Sequence, residues 1–512
     1  MATEGRRFTL LPAPEVRCYH QERGSWVPAD MKTASRRAHL RVFRSVPLLL
    51  WLATANGLWA QAGAPPAQGE LFKGAVIPRV SCAAQSSETY ALYLPSYFTV
   101  EKNWPVILAL DPAARGAVPV ELLKGAAEKY GYIVAGSNNS RNGPFPPQYD
   151  SAVAMAKDVS TRFPVDLRRV YFTGFSGGAR SAVYVALLCK GCAAGVILHG
   201  AGFPIDRPPS SEVSFSVFSA IGLLDFNYFE VVPLQVQFEK LRITHRLRRF
   251  EGSHQWAPPE VWMEAVEWLE LTAMKQNRRS RDDTFIRNQL AVRLDRASAL
   301  AAADDFYAAW QEYRDIASDF DGLIDTSASR QKSEQLAGDR RVRDGQRDEQ
   351  REFSEELRVL DEFNRAFDQL MAEPAQRSTA KSAVETQIAL IKRRRESEKK
   401  GWRNRVAERA FSQVTARLFE AGDGKLREKD FAFAITLFEL LSASAPDNPG
   451  PFYQLARAYA RAGKKKETIR AVEQAVRRGF NRPDLLQQEE FSSLRGEIEF
   501  EKLLDAVARK AQ

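Results

Sequence analysis

The sequence predicts an α/β sheet domain followed by an all-helical region, and three observations carry that expectation. Between residues 85 and 272, short β-branched and aromatic runs alternate with amphipathic stretches, the pattern of a sheet covered by helices on both faces. After Lys275 prolines and β-branched runs become scarce, while Ala, Glu, Arg, Gln and Leu recur at helical spacing. Near the C-terminus Ala434, Phe438 and Pro446 are followed 34 residues later by Thr468, Val472 and Phe480, a period that marks stacked helical hairpins.

A chain of 512 residues, 44% hydrophobic and 27% charged, has room for about three structural units and is neither collagen-like, a disulfide knot nor wholly disordered. Its formal charge of +9 is concentrated at the start, where residues 1–62 carry nine Lys or Arg against four acidic residues. The remaining surplus of +4 is too dilute to form a field for phosphate, so nucleic acid is discounted as a partner.

Those first 62 residues read as an N-terminal extension and an export signal. A basic run over 32–44 precedes an apolar run over 46–58 and the small residues Ala60 and Ala62. Met31 directly before the basic run marks the expected true start. Arg36 and Arg37 approach the twin-arginine pattern, but His39 stands where that pattern prefers an aromatic, so general secretion is favoured. The apolar run is short for a bilayer, and no stable membrane span is expected. The destination is the periplasm, the medium or the cell surface.

Cys82, Cys189 and Cys192 would then meet an oxidising compartment, while Cys18 falls in the segment expected to be absent. The 189/192 spacing is read as a structural disulfide or plain thiols in preference to a redox dithiol or half a zinc site. No second Cys pair or His cluster completes a metal site, so no metal is expected. Cys82 is the spare partner.

The predicted strands span residues 90–94, 106–110, 132–135, 169–173, 195–199, 214–221 and 245–250, with helices over 120–129, 149–162, 179–188 and 258–272. This places a sheet domain at 63–275, a helical and highly charged linking region at 276–413, and repeats at 414–512. A cut near Lys275 is expected to leave the sheet domain folded. Residues 331–356 are so densely and alternately charged that they read as a solvent-washed helix or loose linker. The basic cluster 392–395 is interrupted by Glu396 and Glu398 and reads as a solvated face. Two repeat hairpins are fewer than the three needed for a continuous core, so helices over 289–303 and 306–317 are candidates for another.

The strongest chemical signal is Gly174-Phe175-Ser176-Gly177-Gly178, which lies between a predicted strand and a predicted helix. A strand that turns sharply into a helix strains the Ser backbone, and the flanking glycines avoid collisions with neighbouring elements. Such a nucleophile needs a base and an acid to orient that base. After the export segment the histidines are His199, His245 and His254. His254 lies in the loop after the last predicted strand, from which an imidazole reaches over the sheet edge, so it is the expected base. His199 and His245 are read as core or surface residues.

Asp225, following the strand that ends at Ile221, is the expected acid. Asp206 precedes that strand, and Glu230 suits the start of the next helix. The oxyanion needs donors: the backbone N–H of Gly177 and one from the loop Asp111-Pro112-Ala113-Ala114-Arg115-Gly116. Pro112 has no N–H, which leaves Ala113 or, less favoured, Ala114.

The chain order Ser176, Asp225, His254 is that of the α/β-hydrolase sheet and of neither chymotrypsin-like nor subtilisin-like proteases. Together with Leu110-Asp111-Pro112, Arg169-Val170-Tyr171, Gly222–Asn227 and Gly252–Trp256, it makes residues 85–272 resemble a secreted α/β-hydrolase of the esterase type. Polyhydroxybutyrate depolymerase, feruloyl esterase and dienelactone-hydrolase-like proteins are similar. The resemblance implies hydrolysis through an acyl-Ser176 intermediate without metal or organic cofactor. The C-terminal helices resemble tetratricopeptide repeat proteins, which implies a protein partner and no chemistry.

Only about fifteen residues separate His199 from the next strand, so no large lid is expected there. An open site suits soluble esters or ester groups on a large or polymeric substrate. Peptidase activity is the weaker expectation, since no propeller precedes residue 90. The loop 136–144 follows a strand at the same sheet edge, which makes Asn138 and Asn139 candidate pocket residues. The competing reading is a turn-rich connection. From another functional class comes a catalytically silent hydrolase-fold protein that acts through its helical tail. An intact Ser, Asp and His set favours the enzyme.

Overall fold

The structure is a computed structural model that describes residues 72–143, 145–372 and 377–511. The export signal, Met31 and Cys18 lie outside the described residues. Within them the fold class is the expected one, an α/β-hydrolase sheet followed by an all-α region.

The sheet half runs β1 (Val76–Ser81), β2 (Thr89–Tyr93), β3 (Trp104–Leu110), α1 (Ala117–Tyr130), β4 (Ile133–Ser137), α2 (Phe145–Arg162), β5 (Val165–Phe175), α3 (Gly177–Leu188), β6 (Gly195–His199), β7 (Ser216–Gly222), α4 (Tyr228–Val231), α5 (Leu234–Lys240), β8 (His245–Phe250) and α6 (Pro259–Lys275). The strands order as β1-β2-β4-β3-β5-β6-β7-β8, with β2 antiparallel to both neighbours and every later pairing parallel. Parallel strands are covered on both faces and so read as continuous apolar runs. In β3 every residue is buried.

Successive β3 residues feed opposite cores, because strand side chains alternate. Leu108 packs with Phe172, Val196, Met155 and Val183 on the α2 and α3 face. Ile107 packs with Tyr171, Ile197, Leu123 and Trp262 on the α1 and α6 face. The sequence reading missed β1, an edge strand with Pro78 in it, where the missing N–H is tolerated. The helix expected to open near Glu230 is α4, a single turn starting at Tyr228, while the short α5 was missed. Cys189 and Cys192 form a disulfide, while the buried Cys82 thiol stays free and is pushed up to about 11 by burial.

The helical half comprises α7 (Asp283–Ala302), α8 (Phe306–Asp319), α9 (Ser327–Ala337), α10 (Arg340–Ala372), α11 (Arg377–Ser397), α12 (Gly401–Arg427), α13 (Phe431–Ser444), α14 (Pro449–Arg461), α15 (Lys465–Arg477), α16 (Pro483–Leu486) and α17 (Ile498–Ala511). No helix among the described residues is long and apolar enough to cross a membrane. Several starts are written locally. Asp282, Asp305 and Asp430 cap α7, α8 and α13 by accepting from Phe285 N, Ala308 N and Phe433 N. Asn448 caps α14 with Pro449 in the first turn. The positions related by 34 residues that lie on helices, Ala434, Phe438, Thr468 and Val472, are all buried.

Residues 331–356 depart from the loose-linker reading. They form the end of α9 and the first half of α10, and Glu352 and Glu356 are buried against Arg409 of α12, at 2.8 and 2.7 Å. The alternating charges are partners for another helix. In the basic cluster, Arg394 pairs with Glu355 and Arg395 with Glu408.

Candidate active site

β5 ends at Phe175 and α3 begins at Gly177, so Ser176 alone makes the turn, at φ 53° and ψ −123°. A left-handed non-glycine residue costs about 1–3 kcal/mol and persists only where its surroundings enforce it. Here Ser176 N donates to the His199 carbonyl at 2.9 Å. A Cβ at Gly174 would collide with the Gly178 carbonyl, and one at Gly178 with the Leu110 carbonyl. The two glycines let strand and helix close on the Ser.

Around Ser176 the three expected residues come together. His254 Nε2 lies 2.9 Å from Ser176 Oγ, and Nδ1 lies 2.9 and 3.0 Å from the two Asp225 oxygens. Asp225 is fully buried, and its Oδ1 also accepts from Asn227 N at 2.8 Å. The His254 ring is held between Phe226, 4.1 Å away, and Phe175, 4.6 Å away. Two aromatic faces and one carboxylate leave the imidazole little rotational freedom. The competitors are placed elsewhere: Glu230 pairs with Arg180 at 2.6 Å, and Asp206 serves Tyr184.

His199 is buried, and neither ring nitrogen has a hydrogen-bond partner. It stacks on Trp262 at 4.0 Å and is pushed down to about 3 by burial, so it is a neutral packing residue. His245 bonds the Ile243 carbonyl through Nδ1 at 2.8 Å.

Two expectations need correction. Ala113 does not present a free N–H, because it donates to Asp111 Oδ1 at 2.8 Å. The Ala114 N–H closes a turn onto the Asp111 carbonyl at 3.1 Å. The buried Asp111 organises this loop, also accepting from Arg115 Nε and Nη2 at 3.0 Å and from Trp256 Nε1 at 2.9 Å. Gly177 opens α3, so its N–H has no intrahelical partner.

Asn138 and Asn139 are not pocket residues either. Asn138 Nδ2 donates to the Pro78 carbonyl at 3.1 Å, and Asn139 Nδ2 to the Ser87 carbonyl at 3.0 Å while its Oδ1 accepts from Thr89 N at 2.9 Å. Both amides satisfy the backbone of the β1 and β2 edge. The residue of this loop that reaches the site is Asn142. Its N donates to the Pro112 carbonyl at 2.8 Å, and its exposed amide lies where a Cβ on Gly177 would be. No pattern in the sequence distinguishes Asn142 from its neighbours.

No family model and no curated protein matches the chain. Solved structures similar to it include FphF, a fluorophosphonate-binding serine hydrolase of Staphylococcus aureus, 15% identical over 39% of this chain and 99% of that one, with a TM-score of 0.32. The carboxylesterase of Bacillus cereus is 17% identical over 37% of this chain and 96% of that one, TM-score 0.31. Est1E from Butyrivibrio proteoclasticus is 12% identical over 38% and 98%, TM-score 0.31.

Proposed function

We propose that the protein is an exported serine hydrolase that cleaves carboxylic esters through an acyl-Ser176 intermediate. The observation that carries this reading is the hydrogen-bonded series Ser176, His254, Asp225 built on a strained elbow. His254 Nε2 takes the Oγ proton as Ser176 attacks the ester carbonyl, and Asp225 holds Nδ1–H and stabilises the imidazolium. The same proton then goes to the departing alcohol, and water repeats the cycle on the acyl-enzyme. The developing oxyanion receives the Gly177 N–H and, in place of Ala113, the Asn142 side-chain amide.

Export is supported by the basic and apolar runs before residue 62 and by the Cys189–Cys192 disulfide. The stretch between β6 and β7 forms no helical lid, which suits ester groups carried on large substrates. The packed hairpins of α13, α14 and α15 support a tetratricopeptide-like region that binds a protein partner.

Labelling with a fluorophosphonate tests the reading. Wild type is expected to label, and Ser176→Ala and His254→Ala are expected to remain folded and unlabelled. Folded wild type that resists the probe would sink the enzyme reading in favour of a silent domain acting through its helices.

A further inference from the structure

The loops that carry the acid and the base are laced to each other, and the lacing is held from the helical half. Asp225 N donates to the Gly222 carbonyl at 3.1 Å and closes a turn, from which Leu223 N and Leu224 N reach the Phe250 and Gly252 carbonyls at 2.9 and 2.8 Å. A Cβ on Gly222 would collide with the Gly252 and Ser253 carbonyls, so the acid loop lies directly on the residues that lead to His254. The Leu223 carbonyl, two residues before Asp225, accepts from Arg409 Nη1 of α12 at 2.8 Å.

Arg409 has no slack in that position. Its side chain is fully buried, with Nε donating to Glu356 at 2.7 Å and Nη2 to Glu352 at 2.8 Å, both from α10. The guanidinium lies 4.8 Å from the Tyr228 ring and 4.9 Å from the Phe229 ring. A planar fork with its three nitrogens committed to three acceptors is fixed in direction as well as place. Three residues before Glu352, Glu349 accepts from the Tyr228 hydroxyl at 3.0 Å and from Arg249 Nη2 at 3.1 Å. Tyr228 N in turn donates to the Asp225 carbonyl at 2.9 Å, and Arg249 precedes Phe250, whose carbonyl takes Leu223 N. Contacts that served cohesion alone need not fall here; these fall on the residues that flank the acid and on the end of the strand before the base.

We propose that Arg409 is a positioning residue: α12, oriented by α10, fixes the loop of Asp225 against the loop of His254, so that turnover requires the helical half to be docked. This rests on the serine-hydrolase reading of Ser176. Asp225 works by holding the imidazole in one orientation, and a displacement of about 1 Å transmitted from outside a site lowers rates by as much as about 100-fold.

Two variants of the full mature chain test this. Arg409→Lys keeps a charge for Glu352 and Glu356 but offers one nitrogen where three served three acceptors. Glu352→Met, Glu356→Met and Arg409→Met together remove the ion cluster and leave none of its buried charges unpaired. The measurement is steady-state hydrolysis of a short aryl ester, with turnover counted per serine labelled once a fluorophosphonate reaction has run to completion. In each variant that melts cooperatively, kcat per labelled site is expected to fall about 10- to 100-fold, with KM within about two-fold of wild type, since the alignment counts in the transition state and not in substrate binding. Wild-type kcat per site, whether in fewer labelled sites or with a changed KM, is what a merely structural role gives, and it overturns the proposal. Failure of both variants to melt cooperatively overturns it as well, because Arg409 then holds the fold and not the geometry of the site. If folded wild type neither hydrolyses esters nor takes the probe, the serine-hydrolase reading itself fails and takes this proposal with it.

Discussion

Ser176, Asp225 and His254 were legible because each belongs to a feature written locally: a glycine-flanked turn, a strand end and a loop after the last strand. Their order along the chain then left one arrangement. Ala113, Asn138 and Asn139 were misplaced for a common physical reason. A polar group is available to a substrate only if nothing in the protein satisfies it first, and the groups that do so, Asp111, Pro78 and Ser87, come from other parts of the sheet edge. Asn142 gains its place beside Gly177 by the same tertiary contacts. Removing its amide is expected to lower kcat by about 100- to 1,000-fold, the range for losing one oxyanion donor, with little change in KM. Steady-state hydrolysis of a short aryl ester by Asn142→Ala checks this. Undiminished kcat would return the second donor to the 111–116 loop.

Among the elements, α10 and α12 teach the most. Dense mixed charge on residues 331–356 is ambiguous by itself, since the same pattern serves a solvated face or a buried ion pair. The structure resolves it at Arg409, which Glu352 and Glu356 hold from α10. Burial pushes the Glu356 carboxyl up to about 7, and Glu352 adds to the rise while Arg409 opposes it. Raised above its ordinary value of 4.5, this group keeps its proton in the native state over a window where the unfolded chain has lost it. Its contribution to stability is therefore present below pH 4.5 and lost as pH rises through 7. Glu356→Gln removes that slope. Relative to wild type, the variant is expected to gain roughly 2–4 kcal/mol between pH 5 and pH 8, read from denaturant midpoints. A difference that stays flat across that window would show that Glu356 is ionised throughout.

For the molecule as a whole, the end of the β/α alternation near Lys275 is not the end of the core. Leu271 and Met274 of α6 pack with Ile286, Ala297, Tyr313 and Ile316 of the helical half. The buried Arg246 of β8 is matched by Asp315 at 2.8 Å and by Glu312 and Asp319 at 3.2 Å, all from α8, and by Glu264 of α6 at 3.4 Å. Burial pushes the Glu312 carboxyl up, yet Arg246, Arg293 and Arg296 hold it down to about 2. Stripping one side of a buried ion network costs about 3–5 kcal/mol. A chain ended at Lys275 is therefore expected to be insoluble or poorly folded, against the expectation of a separable sheet domain. Circular dichroism and solubility of 72–275 beside 72–342 check this, the longer piece retaining α7, α8 and α9. A soluble, cooperatively melting 72–275 would show that the sheet half is independent after all.

The amino-acid sequence by itself determined the elements and the elements' ends on which Ser176, Asp225 and His254 stand. Apolar runs, turn glycines and capping Asp or Asn residues act over a few neighbours, and the strained strand-to-helix turn at Ser176 is a local backbone requirement. Tertiary structure alone decided which polar groups remain unsatisfied beside Ser176, where the charges of α10 go, and that α12 docks Arg409 on the Leu223 carbonyl of the loop carrying Asp225. Those outcomes depend on groups brought together from distant parts of the chain, and each is settled by the desolvation and pairing of groups whose partners no local pattern names.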